Sequence, residues 1–234
     1  MNIVITGASR GIGKAIAIAF IKKGWNLAIC SLNKGSIQKA ANELQSINPE
    51  AEIVAEAVDV REKASIFAFA QNIERKFSQI DVLVNNAGIF IPGSIHEEKD
   101  GIFENTMYTN LHSAYHLTRA LLPKMKSLKT GHIINICSTA SLSAYANGGS
   151  YSISKHALLG FSKNLREELK PFNIKVTAVC PGPTLTDSWA GFDGPAERLM
   201  APEDVAKVVW NTHSLSHQTV VEDIVMRPIK GDMD

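Results

Sequence analysis

Short apolar runs alternate along the whole chain with longer segments whose apolar residues recur every third or fourth position. The runs at 2–6 (NIVIT), 26–31 (NLAICS), 52–58 (EIVAEAV), 80–85 (IDVLVN), 131–138 (GHIINICS), 174–180 (IKVTAVC) and 220–226 (VVEDIVM) read as strands. Helical patterns fill the intervals near 11–23, 35–47, 62–78, 99–127, 151–170 and 202–213. Most strands are continuously apolar rather than alternating, as expected of a sheet covered on both faces. The β-α-β alternation predicts an α/β fold built on one doubly wound parallel sheet. Right-handed crossovers would gather the strand carboxyl ends on one edge, where ligands bind.

No linker, charge block or internal repeat divides the 234 residues, so residues 1–234 are expected to form one domain. The least regular stretch is 181–201, where prolines and glycines interrupt any long helix and Leu185, Trp189 and Phe192 offer large apolar surfaces. It reads either as a substrate loop near 183–201 or as an ordinary surface connection.

Composition narrows the function classes. With 24 basic and 23 acidic side chains the net charge is +1, and no global field would draw nucleic acid or an anionic membrane. No apolar stretch reaches the roughly 18 residues that span a bilayer. Cys30, Cys137 and Cys180 each sit at or near the end of an apolar run without metal-ligand spacing, and read as buried reduced thiols. A first strand starting at Asn2 or Ile3 leaves no room for a cleavable signal, so a cytoplasmic protein is expected.

Two motifs carry chemistry. The first is the turn T-G-A-S-R-G-I-G at 6–13, between the first strand and the first helix. Gly7, Gly11 and Gly13 allow close backbone approach, and a helix start offers unpaired N–H groups to a pyrophosphate. With Ser9, Arg10 and Ile12 these residues make a dinucleotide cradle, although G-x-x-x-G-x-G differs from the commonest fingerprint. The second strand ends in Ser31-Leu32-Asn33-Lys34, with no carboxylate between Asn26 and Gln38 to accept from a ribose 2′-hydroxyl. Arg10 and Lys34 can approach a 2′-phosphate, which favours NADP(H) over NAD.

The second motif is Y-S-I-S-K, placing Tyr151 and Lys155 on one face of a helix, thirteen residues after Ser138. A phenol titrates near pH 10, too high for proton transfer at neutral pH, and a neighbouring ammonium together with the positive charge of a bound nicotinamide is expected to lower it. Ser138 ends the fifth strand and can bond the oxygen that Tyr151 serves. A nucleophilic role for Ser138 is disfavoured, because I-C-S-T-A is no G-x-S-x-G elbow. The histidines form no zinc pattern, His156 reads as a helix-surface residue, and no metal site is indicated.

These residues closely resemble the short-chain dehydrogenase/reductase family over nearly the whole chain. The shared features are T-G-x-x-x-G-I-G, Asp59-Val60, N-N-A-G at 85–88, Asn110, Ser138, Y-x-x-x-K at 151–155 and P-G-P-T-L-T at 181–186. The resemblance implies a Rossmann-type seven-stranded sheet of order 3-2-1-4-5-6-7 and a catalytic set of Asn110, Ser138, Tyr151 and Lys155. In it Tyr151 is the general acid/base and Ser138 orients the reacting oxygen. Lys155 binds the nicotinamide ribose and lowers the tyrosine pKa, while Asn110 holds a water that relays protons. The resemblance further places Asp59 and Val60 beside the adenine, and Asn86, Ala87 and Gly88 along the cofactor cleft. Pro181, Gly182, Thr184 and Thr186 approach the nicotinamide end. It also implies a homodimer or homotetramer through the helices at 99–127 and 151–170.

The sequence departs from the family in having Leu32 where NADP-dependent relatives often carry Arg, and in lacking the V-D-G-G ending of 3-oxoacyl-[acyl-carrier-protein] reductases. The expected activity is hydride transfer between NADP(H) and a carbonyl or secondary alcohol, with Ile89, Phe90, Leu142, Tyr145, Leu185, Trp189 and Phe192 as the pocket wall. Lys124, Lys126, Lys129, Lys163, Arg166 and Lys170 form either a solvated face or a dock for an acidic carrier of a thioester-linked substrate. The rival is a non-catalytic NADP-binding sensor or scaffold of the same fold.

Overall fold

A computed structural model describes residues 1–187 and 194–232. Seven parallel strands form one sheet: β1 (Asn2–Thr6), β2 (Asn26–Ser31), β3 (Ile53–Ala57), β4 (Val82–Asn85), β5 (Gly131–Ile136), β6 (Ile174–Pro181) and β7 (Asp223–Met226). Their order is β3-β2-β1-β4-β5-β6-β7, the order the resemblance implied. The connecting helices are α1 (Gly11–Ile21), α2 (Lys34–Ile47), α3 (Lys63–Lys76), α4 (Ile102–Met107), α5 (Ser113–Leu128), α6 (Gly149–Leu169) and α7 (Pro202–His213).

Alternation along each strand explains why the strands read as unbroken apolar runs. Ile3 and Ile5 of β1 enter the cluster built with Ile16 and Phe20 of α1 and Val205 and Val209 of α7. Val4, between them, points the other way, into a cluster with Phe69 and Ile73 of α3, Leu117 and Leu121 of α5, and Leu165 of α6. A strand clamped between two helical layers has no face left for polar residues.

β1 is paired with both β2 and β4. The chain winds outward through β2 and β3, then returns to β4 on the other side of β1. This reversal opens a crevice beyond the carboxyl ends of β1 and β4, the place where such sheets hold ligands.

One expected element is different. The single helix read over 99–127 is broken: a π segment, Tyr108–His112, lies between α4 and α5. The Ser113 N–H reaches back five residues to the Tyr108 carbonyl. The Thr109 and Ser113 hydroxyls donate to the carbonyls of Asn105 and Thr109. β7 is also shorter than read, because only its last four residues pair with β6.

Candidate active site

The glycine turn is shaped by contacts that tolerate no side chain. Gly7 and Gly11 hold φ of +67° and +57°, where a Cβ is strained. A Cβ on Gly13 would stand 2.5 Å from the Gly7 carbonyl oxygen and 2.5 Å from Asn86 Nδ2. Arg10 occupies the N-cap of α1 in extended conformation, and among the described residues no side chain caps the helix. The first-turn N–H groups are therefore free to bind an anion.

Thr6 and Asn86 lock this turn to the end of β4. The Thr6 hydroxyl accepts from the N–H of Asn86 (3.0 Å) and of Ala87 (2.9 Å). The Asn86 amide donates to the carbonyls of Thr6 and Gly7 at 2.9 and 3.1 Å. Asn86 lines the cleft above the turn while its amide serves the turn itself.

A cleft of about 840 Å³ runs over the turn. Its walls include Gly7, Ser9, Arg10, Gly11 and Ile12, then Ser31 at the end of β2, Asp59 and Val60 after β3, and Ala87 and Gly88 after β4. Thr186 crosses the cleft, standing 3.1 Å from where a Gly11 Cβ would be. The Arg10 guanidinium, expected as an available cation, pairs with Asp187 in the open. Lys34 departs further from expectation: it opens α2, exposed and outside the cleft wall, while Asn33 and Ser36 line it. The Asp59 carboxylate is gripped by Arg61 (2.6 and 2.9 Å), and this hydrogen bonding holds it below the usual carboxylate range.

Next to this cleft lies a cavity of about 280 Å³, bounded by Ile89, Phe90, Ser138, Ser143, Tyr145, Tyr151, Lys155, Pro181, Gly182, Thr184 and Asp232. Three residues of the expected catalytic set, Ser138, Tyr151 and Lys155, line it, and Asn110 does not. Ser138 lies two residues past β5, and its hydroxyl accepts from the Ala140 N–H at 3.1 Å, on the same cavity wall as Tyr151. The Tyr151 ring meets Phe90 edge-on at 4.9 Å. Lys155 is buried, and its Nζ donates to the Ile136 carbonyl at 2.8 Å.

Asn110 sits buried within the π segment. Its Oδ1 accepts from Ile89 N–H (2.8 Å), and its Nδ2 donates to Ile89 O (3.0 Å) and Ser154 Oγ (2.9 Å). Ser154 Oγ donates in turn to the Tyr151 carbonyl at 2.7 Å. Asn110 thus ties the loop after β4 to the first turns of α6. A single-turn π segment at a functional site is a recurrent device, because it re-aims one side chain without ending the helix.

Electrostatics correct one expectation. Burial raises the Tyr151 phenol above its ordinary value, and the Ser138 hydrogen bond offsets this only in part. The Lys155 ammonium, itself lowered by burial, points to the Ile136 carbonyl and stands 5.8 Å from the phenol ring centre. Lys155 alone therefore does not acidify the phenol, which keeps its proton.

The short-chain dehydrogenase family model matches residues 1–194. The chain belongs to this family. Over 239 residues it is 31% identical to the sepiapterin reductase of Chlorobaculum tepidum, covering 99% of this chain and 97% of that one. It is also 31% identical over 241 residues to an NADP-dependent 3-hydroxy acid dehydrogenase of Escherichia coli, with 98% and 95% coverage. A serine dehydrogenase solved with NADP+ superimposes with a TM-score of 0.90 at 31% identity, covering 100% of this chain and 97% of that one.

Several contributors to this short-chain dehydrogenase site carry no local sequence signal. Glu98 accepts from the Ser150 N–H at 2.8 Å and from its hydroxyl, holding the start of the helix that carries Tyr151. Asp232, near the carboxyl end, packs against Gly182 and is held by Arg227 at 2.9 Å. Of the expected pocket wall, Ile89, Phe90 and Tyr145 line the cavity, while Leu142 and Leu185 are exposed outside it. Trp189 and Phe192 lie outside the described residues, as does part of the loop read over 183–201. Among the described residues no group of three or more His, Cys, Asp or Glu is placed to hold a metal, and no helix is long and apolar enough to cross a membrane.

Proposed function

We propose that this chain is an NADP(H)-dependent oxidoreductase that interconverts a small carbonyl compound and its secondary alcohol. The observation that carries the reading is the meeting of Ser138, Tyr151 and Lys155 in a cavity that opens beside the glycine cleft. When bound, the cofactor supplies or removes the hydride at the substrate carbon. Its pyrophosphate fits the uncapped start of α1 and the turn whose glycines leave room for it. Gly7, Ser9, Arg10, Gly11, Ile12 and Gly13 would hold that end, Ser31, Asp59 and Val60 the adenosine, and Asn86, Ala87, Gly88, Pro181, Gly182, Thr184 and Thr186 the rest.

Tyr151 keeps its proton at neutral pH and delivers it to a substrate oxygen that gains negative charge. The Ser138 hydroxyl, fixed by the Ala140 N–H, donates to the same oxygen. Lys155 is held by Ile136 O and remains available to a ribose hydroxyl and to a phenolate once the proton has left. Asn110 is a positioning residue, because its amide bonds to the chain rather than facing the cavity.

NADP(H) is favoured over NAD because the end of β2 brings Ser31, Asn33 and Ser36 but no carboxylate of its own to the cleft, which Arg10 also lines. A cavity of about 280 Å³, bearing Phe90 and Tyr145 as well as Ser143 and Asp232, suits a compact, partly apolar substrate. A free small molecule fits better than a carrier-bound thioester, because the basic set is largely engaged. Lys124 bonds the carbonyls of Glu74 and Phe77, Lys126 covers the Phe172 ring, and Arg166 and Lys170 pair with Glu222 and Glu167. Exposed Phe103, Tyr108, Tyr115 and Ile153 support a homodimer or homotetramer through the α4–α5 and α6 faces. Three free buried thiols accord with a reducing, cytoplasmic setting.

The test begins with binding of NADPH and NADH, followed by NADPH oxidation against ketones, 3-oxo acids, oxo-pterins and acetoacetyl thioesters. Tyr151→Phe should abolish turnover and leave NADPH affinity within about twofold. Unaltered turnover in that variant removes Tyr151 from its role. Tight NADPH binding with no turnover across the panel would instead favour the sensor reading.

A further inference from the structure

Cys137 and Cys180 stand opposite one another on neighbouring strands beside the reactive cluster. Ile136 of β5 is in register with Val179 of β6, and the Cys137 N–H still donates to the Val179 carbonyl at 2.7 Å. That bond is half of the pattern that pairs Cys137 with Cys180. The other half needs an N–H from residue 181, which is proline and has none. The ladder stops there, but the two residues keep their opposed places.

Opposed residues on adjacent parallel strands lie about 4.8 Å apart, within the range of about 4.4–6.8 Å that disulfides span between Cα atoms. They also project to the same side of a sheet. Both side chains indeed enter one buried cluster with Ala114, Leu158 and Leu159, and each thiol shifts the titration of the other. Cys30 is elsewhere, in the cluster with Val54 and Phe69, where burial pushes its thiol up to about 12.

Two further features favour reaction at the pair. Cys137 lines the cavity of about 280 Å³, which gives a small oxidant a route to it. The two thiols shift in opposite directions: Cys180 and burial push Cys137 well up, while Cys137, with help from the Lys155 ammonium, holds Cys180 below the ordinary range, so the thiolate character of the pair falls on Cys180. Thiolate character is what makes a cysteine reactive.

We propose that Cys137 and Cys180 form a redox pair, oxidised by hydroperoxides to a reversible disulfide that switches off the adjoining site. One sulfur, as thiolate, attacks a peroxide oxygen. The O–O bond breaks, the departing oxygen takes up the thiol proton, and a sulfenic acid and water result. The second sulfur then attacks the sulfenic sulfur, and the S–O bond breaks. Hydroxide leaves and takes the second thiol proton as water. Two thiols and one hydrogen peroxide give one disulfide and two waters, with two electrons passing to the peroxide.

The disulfide acts on the site through the end of β5. Cys137 is flanked by Ile136, whose carbonyl anchors Lys155, and by Ser138, whose hydroxyl meets Tyr151. Drawing the sulfurs to bonding distance, about 2.05 Å, pulls on this strand end and displaces both partners.

The experiment treats the purified protein with hydrogen peroxide, alkylates it under denaturing conditions and maps the cysteines by non-reducing peptide mass analysis. A Cys137–Cys180 cross-linked peptide is expected, with Cys30 alkylated. Turnover should fall at least tenfold and return with dithiothreitol, whereas Cys180→Ala should show neither the cross-link nor dithiothreitol-reversible loss. Alkylation of both Cys137 and Cys180 after peroxide, or their unlinked conversion to sulfinic acid, overturns the proposal. So does dithiothreitol-reversible inhibition of Cys180→Ala equal to that of the parent protein. Only the turnover readout rests on the function proposed above; the peptide map does not, so the two ideas fail separately.

Discussion

Replacing Asn110 with alanine separates architecture from chemistry. The substitution removes three hydrogen bonds, two to the backbone of Ile89 and one to Ser154 Oγ. Ser154 keeps the Tyr151 carbonyl as partner, so its loss is small. The Ile89 N–H and C=O lose theirs at a partly buried site, at about 1 kcal/mol or somewhat more each. The shortened side chain adds a small cavity. The sum is about 2–4 kcal/mol. For a chain of this size each kcal/mol lowers Tm by about 2–4 °C, so thermal unfolding should begin about 5–15 °C earlier.

The same loss should loosen the loop after β4 against α6, lowering kcat while NADPH binding at the glycine turn changes little. Differential scanning calorimetry and cofactor titration of the variant check both parts. If Asn110 served only as the water-holding relay that the resemblance implies, kcat would fall with Tm unmoved. A Tm within 1 °C of the parent would refute the positioning argument.

Other substitutions probe the cofactor cleft and the far side of the sheet. Gly13→Ala puts a methyl group against the Gly7 carbonyl and Asn86 Nδ2, so NADPH binding measured by nucleotide fluorescence should be lost. Gly24→Ala, which meets nothing within 4 Å, should leave that binding intact despite some strain at φ +81°. Arg10→Ala should raise the Kd for NADPH about 10- to 100-fold and that for NADH little, as one charge-assisted contact is worth about 1.5–3 kcal/mol. Equal effects on the two nucleotides would mean that Arg10 does not read the 2′-phosphate. His213 is lowered to about 4 by burial, with Lys175 contributing, against an ordinary value of 6.5. The unfolded chain binds the extra proton between those values, so stability is full above about pH 6.5 and is lost as pH falls toward 4. Linkage makes this about 2 kcal/mol between pH 7.5 and 5, and a urea midpoint independent of pH over that range would contradict it.

The sheet was legible because both of its faces are covered, which leaves an unbroken apolar run at each strand. Ile3, Val4 and Ile5 illustrate this, since neighbours in sequence serve opposite layers. The glycine turn was legible for a related reason: three glycines before a helix mark backbone that must approach something closely. The π segment left no such mark, because Tyr108–His112 contains ordinary helix-compatible residues and the extra residue is absorbed in hydrogen bonding alone. Glu98, Asp187 and Asp232 were invisible for another reason. Each acts on a partner far along the chain, Glu98 on Ser150, Asp187 on Arg10 and Asp232 on Gly182, and local pattern cannot pair them. Lys34 was misplaced because it opens α2 as an exposed residue outside the cleft wall, while the neighbouring Asn33 side chain caps that helix by accepting from Ser36 N–H.

The state of Tyr151 follows from the same separation of local and tertiary information. A Y-x-x-x-K spacing puts phenol and ammonium on one helix face, and proximity alone argues for an acidified phenol. The fold adds a third party, the Ile136 carbonyl, which holds Lys155 Nζ at the end of β5. With the ammonium so engaged, burial governs the phenol and leaves it protonated. A neutral phenol and an oriented Ser138 hydroxyl form a donor pair, suited to an oxygen whose negative charge grows as its carbon is reduced. The reverse reaction needs phenolate, and so needs additional positive charge near the ring.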